Sequence, residues 1–137
     1  MSVSDVQPNG ELLLRTLPLP GDTNSNGDIF GGWIMSQMDL AGSILARETS
    51  KGRTVTIAVD SMKFIKPVKV GDIVCCYGRL LRIGTTSIQI ALEVWVKPVL
   101  REDVDTESRF KVTEAVFTYV AIDNTGQKRP VPKPSES

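Results

Sequence analysis

Apolar residues along this chain recur with a period of two in most stretches and with a helical period in one. Residues 11–17, ELLLRTL, make a first strand candidate that Pro18 and Pro20 bring to an end. Residues 21–32, GDTNSNGDIFGG, are crowded with turn formers and read as loop. A helix is predicted over 33–47, WIMSQMDLAGSILAR, where Trp33, Ile34, Met38, Leu40, Ala41, Ile44 and Leu45 spread over most of the circumference. A helix so apolar is expected inside a core rather than on a surface. Four further strand candidates follow it. Residues 54–64 alternate through Val55, Ile57 and Val59, and 72–83 are more continuously apolar. Residues 86–97 alternate cleanly through Ile88, Ile90, Leu92, Val94 and Val96. Residues 110–122 set Val112, Val116 and Val120 on one side, with Phe117 and Tyr119 on the other. Gly84-Thr85 predicts a short hairpin, and Lys66-Pro67 with Gly71-Asp72 marks the turn before the third strand. The order β-α-β-β-β-β belongs to the α+β class, with one sheet able to curl around one helix. Residues 1–9 and 127–137 read as flexible tails of a single domain spanning 1–137.

Composition removes several kinds of function. Lys+Arg and Asp+Glu both total 16, so the chain lacks the positive field that drives non-specific binding to nucleic acid. No apolar run approaches the roughly 20 residues of a membrane-spanning helix, and no membrane partner is expected. The first residues, MSVSDVQPNGE, lack the basic start and apolar stretch of a secretory signal, so the expected location is the cytoplasm. Cys75 and Cys76 are adjacent in a strand and should point to opposite faces, which suits neither a disulfide nor a metal site. The histidine count is zero. That excludes Ser-His-Asp and Cys-His sites, HExxH zinc proteases and histidine as a general base. Hydrolytic chemistry would have to rest on carboxylates, amides, hydroxyls and backbone N–H groups.

The segments GDTNSNGDIFGGWIMSQMDLAG (21–42), VDSMKFIKPVKVGDIV (59–74), RIGTTSIQIALEVWV (82–96) and TEAVFTYVAID (113–123) carry a resemblance that covers nearly the whole chain. Together they resemble the hotdog-fold acyl-CoA thioesterases of the YciA type. The combination N-x-N-G-D-I-F-G-G-W-x-M-x-x-M-D is the specific part; F-x-K-P-V-x-V-G-D alone would only be suggestive. The resemblance implies an antiparallel sheet wrapped around one long central helix, homodimers joined edge to edge, and trimers of those dimers. It also implies acyl-CoA as substrate, with CoA belonging to substrate and product, so no cofactor and no metal are expected. Asp39 falls on the family's catalytic carboxylate. Asn24 in the preceding loop falls on its partner, with Asn26 and Asp28 competing for that role.

Asp39 also stands out by its place on the expected helix. Its helical neighbours are Met35, Ser36, Gly42 and Ser43, on the border between the apolar face and a strip of Ser36, Ser43 and Arg47. A carboxylate in a buried helix is costly unless it is paired or has a raised pKa, which makes this one a candidate for function. Pairing with Arg47 would have to reach across two turns, which is poor geometry. Gly31 and Gly32 precede the expected helix, where free N–H groups beside residues without a Cβ can polarise a carbonyl oxygen. A plain loop-to-helix turn would use the same glycines. Seven residues at about 1.5 Å rise put Asp39 roughly 10 Å from that start, too far for one thioester to touch both. The carboxylate and the oxyanion donors are therefore expected from different subunits, and a monomer is expected to be inactive.

A thiolate leaves readily, since its parent thiol has a pKa near about 8.5, so one base suffices. Asp39 would either deprotonate a water or attack the carbonyl to give a mixed anhydride. Lys63, Lys66, Arg79, Arg82 and Arg101 are candidates for the CoA phosphates, although most surface cations are merely solvated. On resemblance the preferred group is Arg82 with Gly84 and Ser87, the Gly84-Thr85-Thr86-Ser87 turn lying near the pantetheine, with Ser61 as a further contact. A non-catalytic acyl-CoA sensor would not need the buried carboxylate. A hydratase or dehydratase would call for the histidine that is missing.

Overall fold

The computed structural model describes residues 7–101 and 108–133. Its elements are β1 (Glu11–Thr16), α1 (Gly31–Ser50), β2 (Thr54–Phe64), β3 (Ile73–Ile83), β4 (Ser87–Lys97) and β5 (Phe110–Ala121), with a 3-10 turn at Pro20–Asp22. The strands form one antiparallel sheet in the order β1-β3-β4-β5-β2, so β1 and β2 are its edges. β3, β4 and β5 are consecutive in sequence and neighbours in the sheet, whereas β1 and β2 flank α1 in sequence and join opposite sides of the sheet.

Alternation decides which face meets the helix. On β4, Ile88, Ile90, Leu92, Val94 and Val96 all turn into the core shared with Ile34, Met38, Ala41 and Ala46 of α1. The other face of β4 is covered as well: Trp95 is buried, and its indole N–H donates 2.8 Å to the buried Glu93. On β5 the expected alternation breaks. A register shift opposite Val94 and Trp95 lets Val112 join Phe117 and Tyr119 in the core instead of siding with Val116.

The sequence alone starts α1 too late and stops it too early. Gly31 and Gly32 belong to its first turn, and it runs on through Ser50 to a left-handed Lys51. Nor is the helix enclosed on all sides. Ile34, Met38, Ala41 and Ala46 are buried, but Leu40 is 56% exposed and Ile44 and Met35 also reach the surface. One chain has a single sheet to offer, and it covers only one side of the cylinder.

The expected C-terminal tail is ordered for much of its length. The Arg129 N–H donates to the Ala121 carbonyl, the Val131 N–H donates to Thr85, and the Val131 side chain is buried in the core. Arg129 also donates from its guanidinium to the Ser50 and Ile122 carbonyls. Those acceptors, left over at the end of a helix and a strand, draw in a segment whose composition reads as disordered. Residues 1–6 and 134–137, the outer parts of both expected tails, lie outside the described residues.

Candidate active site

Asp39 sits two turns into α1, half-buried where the helix crosses β5 and β2. Its Oδ1 accepts a 2.6 Å hydrogen bond from the Thr56 hydroxyl and a 3.0 Å bond from the Tyr119 hydroxyl. Tyr119 lies 3.1 Å from the Asp39 carbonyl oxygen as well. Oδ2 has no hydrogen-bond partner among the described residues. Two donors therefore fix one oxygen and leave its twin open. Arg47 makes no ion pair with Asp39. Neither Thr56 nor Tyr119 stood out in the sequence as part of the site. A buried tyrosine does need a partner for its hydroxyl, but nothing local says which.

Burial raises the Tyr119 phenol above its usual range, and the Asp39 charge and the hydrogen bond to Asp39 push the same way. The hydroxyls of Ser43 and Thr56 pull in the opposite direction without reversing the shift. Tyr119 is thus a neutral donor at ordinary pH. The thiols offer no competing nucleophile. Both are buried, and burial, with Cys75 alongside, pushes Cys76 up to about 12.

The start of α1 is chemically open. Phe30 is its N-cap and makes no side-chain capping bond, and the first intrahelical donors to Phe30 are Trp33 and Ile34. The N–H groups of Gly31 and Gly32 have no acceptor among the described residues. A Cβ on Gly31 would press on the Phe64 ring at 3.3 Å, whereas Gly32 has open space around it. A cleft of about 310 Å³ reaches this point, lined by Asn24, Asp28, Gly31, Ile34, Phe64 and Lys66 among others.

Asn24 holds its own loop together, its Oδ1 accepting the N–H groups of Asn26 at 2.9 Å and Asp28 at 3.1 Å. The amide nitrogen has no hydrogen-bond partner among the described residues. Asp28 is ion-paired with Lys69, and Asn26 is exposed, so of the three loop residues Asn24 and Asp28 line the cleft. Within one protomer, Asn24 and the glycine pair gather at the helix start, and Asp39 does not share their cleft.

The residues expected to bind substrate fall into two further groups. Ser61, held at φ 57 in a bulge of β2, joins Lys63 and Arg79 around a second cleft of about 280 Å³ on the sheet. Arg82, Gly84, Thr85 and Ser87 gather at the β3–β4 hairpin, where the Gly84 N–H donates 2.8 Å to the Ser87 carbonyl. The Thr85 carbonyl is taken by Val131. Lys66 lies over the Phe110 ring, and Arg101 bonds to the buried Asp72 and to the Pro67 carbonyl. Among the described residues, no group of three or more Cys, Asp or Glu side chains is arranged to hold a metal ion.

A single long helix against a curled antiparallel sheet is the hotdog fold. The model of the thioesterase superfamily matches residues 26–101, and the chain belongs to that family. Within it, the chain is 58% identical over 132 residues to the acyl-CoA thioester hydrolase YciA of Salmonella typhimurium, spanning 96% of this chain and 98% of that one. Its structure resembles the hexameric thioesterase of Yersinia pestis, at 58% identity and a TM-score of 0.86, over 93% of this chain and 100% of that one. The hexameric hotdog-fold thioesterase of Campylobacter jejuni, 44% identical, aligns with a TM-score of 0.80 over 90% and 91% of the two chains.

Proposed function

We propose that this protein hydrolyses acyl-CoA thioesters to a free carboxylic acid and CoA, at sites that two copies of the chain build together. The observation that carries the reading is the Asp39 carboxylate, anchored through Oδ1 and open at Oδ2. Oδ2 either takes a proton from an attacking water or attacks the thioester carbonyl itself. The carbonyl oxygen, gaining charge, is met by the N–H groups at the start of α1, with Gly32 as the principal donor. Asn24 presents its amide nitrogen to the water or the carbonyl. The C–S bond then breaks and CoA departs as a thiolate, which takes up a proton; on the second route a water then hydrolyses the acyl–Asp39 anhydride, releasing the acid and restoring the carboxylate. This sequence consumes one water and requires no metal or cofactor.

Gly32 and Asp39 are seven residues apart on one helix, roughly 10 Å, so the donors and the base come from facing helices of a dimer. The exposed apolar residues Val55, Ile57 and Val59 on edge strand β2 support an edge-to-edge pairing of sheets. The hexameric state named for the similar structures supports a trimer of such dimers. Arg82, Gly84, Thr85 and Ser87 receive the CoA phosphates and pantetheine, with Ser61 and Lys63 as further contacts. Free cysteines side by side in the core suit a reducing cytoplasm.

Release of free thiol from a panel of acyl-CoAs tests the proposal. Wild type should act on many of them, and Asp39→Ala should lose at least about a hundredfold in kcat while keeping its fold. A folded Asp39→Ala protein with near-normal turnover would remove the mechanism.

A further inference from the structure

The geometry points to Tyr119 as a positioning residue that aims the Asp39 carboxylate. This inference rests on the catalytic role proposed for Asp39. The last torsion of an aspartate is broad and roughly two-fold, so a carboxylate on a helix surface swings between orientations unless something holds it. Here Thr56 on β2 and Tyr119 on β5 approach the same oxygen from two different strands. With Oδ1 held at two points, the carboxylate plane is set and Oδ2 has one direction to face. Tyr119 adds what Thr56 does not. Its hydroxyl lies 3.0 Å from Oδ1 and 3.1 Å from the Asp39 carbonyl oxygen, so its single hydrogen is shared between side chain and backbone of one residue.

The phenol is itself held firmly. Its ring is fully buried, stacks on Phe117 with centroids 6.3 Å apart, and enters the helix at Gly42. A Cβ at position 42 would lie 2.2 Å from the Tyr119 hydroxyl oxygen, so the helix reserves this spot for it. Tyr119 is buried, so its hydroxyl meets Asp39 rather than bulk water and acts on the reaction only through that carboxylate.

Tyr119→Phe removes the hydroxyl and leaves the ring. The expected result is a fall in kcat of about ten- to hundredfold, the usual worth of a hydrogen bond to a charged group, with KM within about twofold of wild type. The decisive comparison is made on Asp39→Asn. If Tyr119 works through Asp39, Tyr119→Phe lowers the residual activity of Asp39→Asn no further. An equal additional drop in that background would show a general structural role and overturn the inference, as would a folded Tyr119→Phe enzyme with unchanged kcat. Should Asp39→Asn prove fully active, the proposed function fails first, and the two failures are told apart by that one variant.

A second measurement covers the case in which Tyr119→Phe does not fold. The chain has 2 tyrosines, so Tyr77→Phe leaves Tyr119 as the sole source of tyrosinate absorbance. In that protein, adding Asp39→Asn should move the ionisation of Tyr119 to lower pH, because the neighbouring negative charge is withdrawn while an amide oxygen can still accept the hydrogen bond. No movement would mean that the two groups do not meet.

Discussion

At Gly42 a single hydrogen atom in place of a methyl group lets the sheet reach the helix. The Tyr119 hydroxyl occupies the volume that a side chain would fill, and Leu92 closes the same space at 3.1 Å. Gly42→Ala gains about 1 kcal/mol of helix propensity, yet overpacking a core position costs about 1–3 kcal/mol. The buried ring has nowhere to retreat, so the cost should win. Thermal denaturation of Gly42→Ala is expected at lower temperature than wild type, together with reduced thiol release as the phenol is pushed off Asp39. Unchanged values of both would show that the hydroxyl does not sit in that notch. At this scale Asp39 was legible in the sequence, because a carboxylate on an apolar helix needs a reason. Its partners were not, since Thr56 and Tyr119 stand 17 and 80 residues away and each passes for an ordinary strand residue. The glycine pair was legible in place but not in role, for a tight turn and an oxyanion site ask for the same residues.

Among the elements, the end of α1 depends on a residue that composition assigned to a tail. The Arg129 guanidinium donates 2.9 Å to the Ile122 carbonyl, 3.0 Å to the Ser50 carbonyl and 3.2 Å to the Ser50 hydroxyl. Helix C-termini leave carbonyls without partners and carry partial negative charge, so a cation with several donors fits both needs. Gly52 makes the approach possible, as a Cβ there would stand 2.4 Å from the guanidinium. Arg129→Ala should destabilise the fold by roughly 1–3 kcal/mol, the cost of leaving such acceptors unmet. Hydrogen exchange should quicken first at 47–54 and 121–131, while turnover by the remaining folded enzyme stays near wild type. Exchange that speeds up evenly over the chain would contradict a local clamp. The strands were read nearly to the residue because period-two alternation is a signal within each segment. Helix ends and the fate of 127–131 were missed because they depend on carbonyls that distant residues satisfy.

For the whole molecule, one chain presents an edge strand that soluble monomers avoid. Ile57 is 58% exposed on β2, with Val55 and Val59 beside it and Leu40 and Ile44 uncovered on the neighbouring helix. Burying an aliphatic side chain of this kind contributes about 1.5–3 kcal/mol, and two-fold symmetry counts each residue twice. A lysine on such an edge discourages pairing, since it brings its charge against its own symmetry copy. Ile57→Lys should therefore shift the protein to monomers in light scattering. Every group around Asp39 would remain within the single chain, namely Thr56, Tyr119 and the Gly42 notch. Hydrolysis should nevertheless vanish, because the N–H groups at Gly31 and Gly32 lie some seven residues, or roughly 10 Å, along the same helix and cannot meet the same carbonyl. Raising protein concentration should restore assembly and activity together. A monomer that hydrolyses acyl-CoA at the wild-type rate would require base and oxyanion donors to converge within one protomer, and the length of α1 between them forbids it.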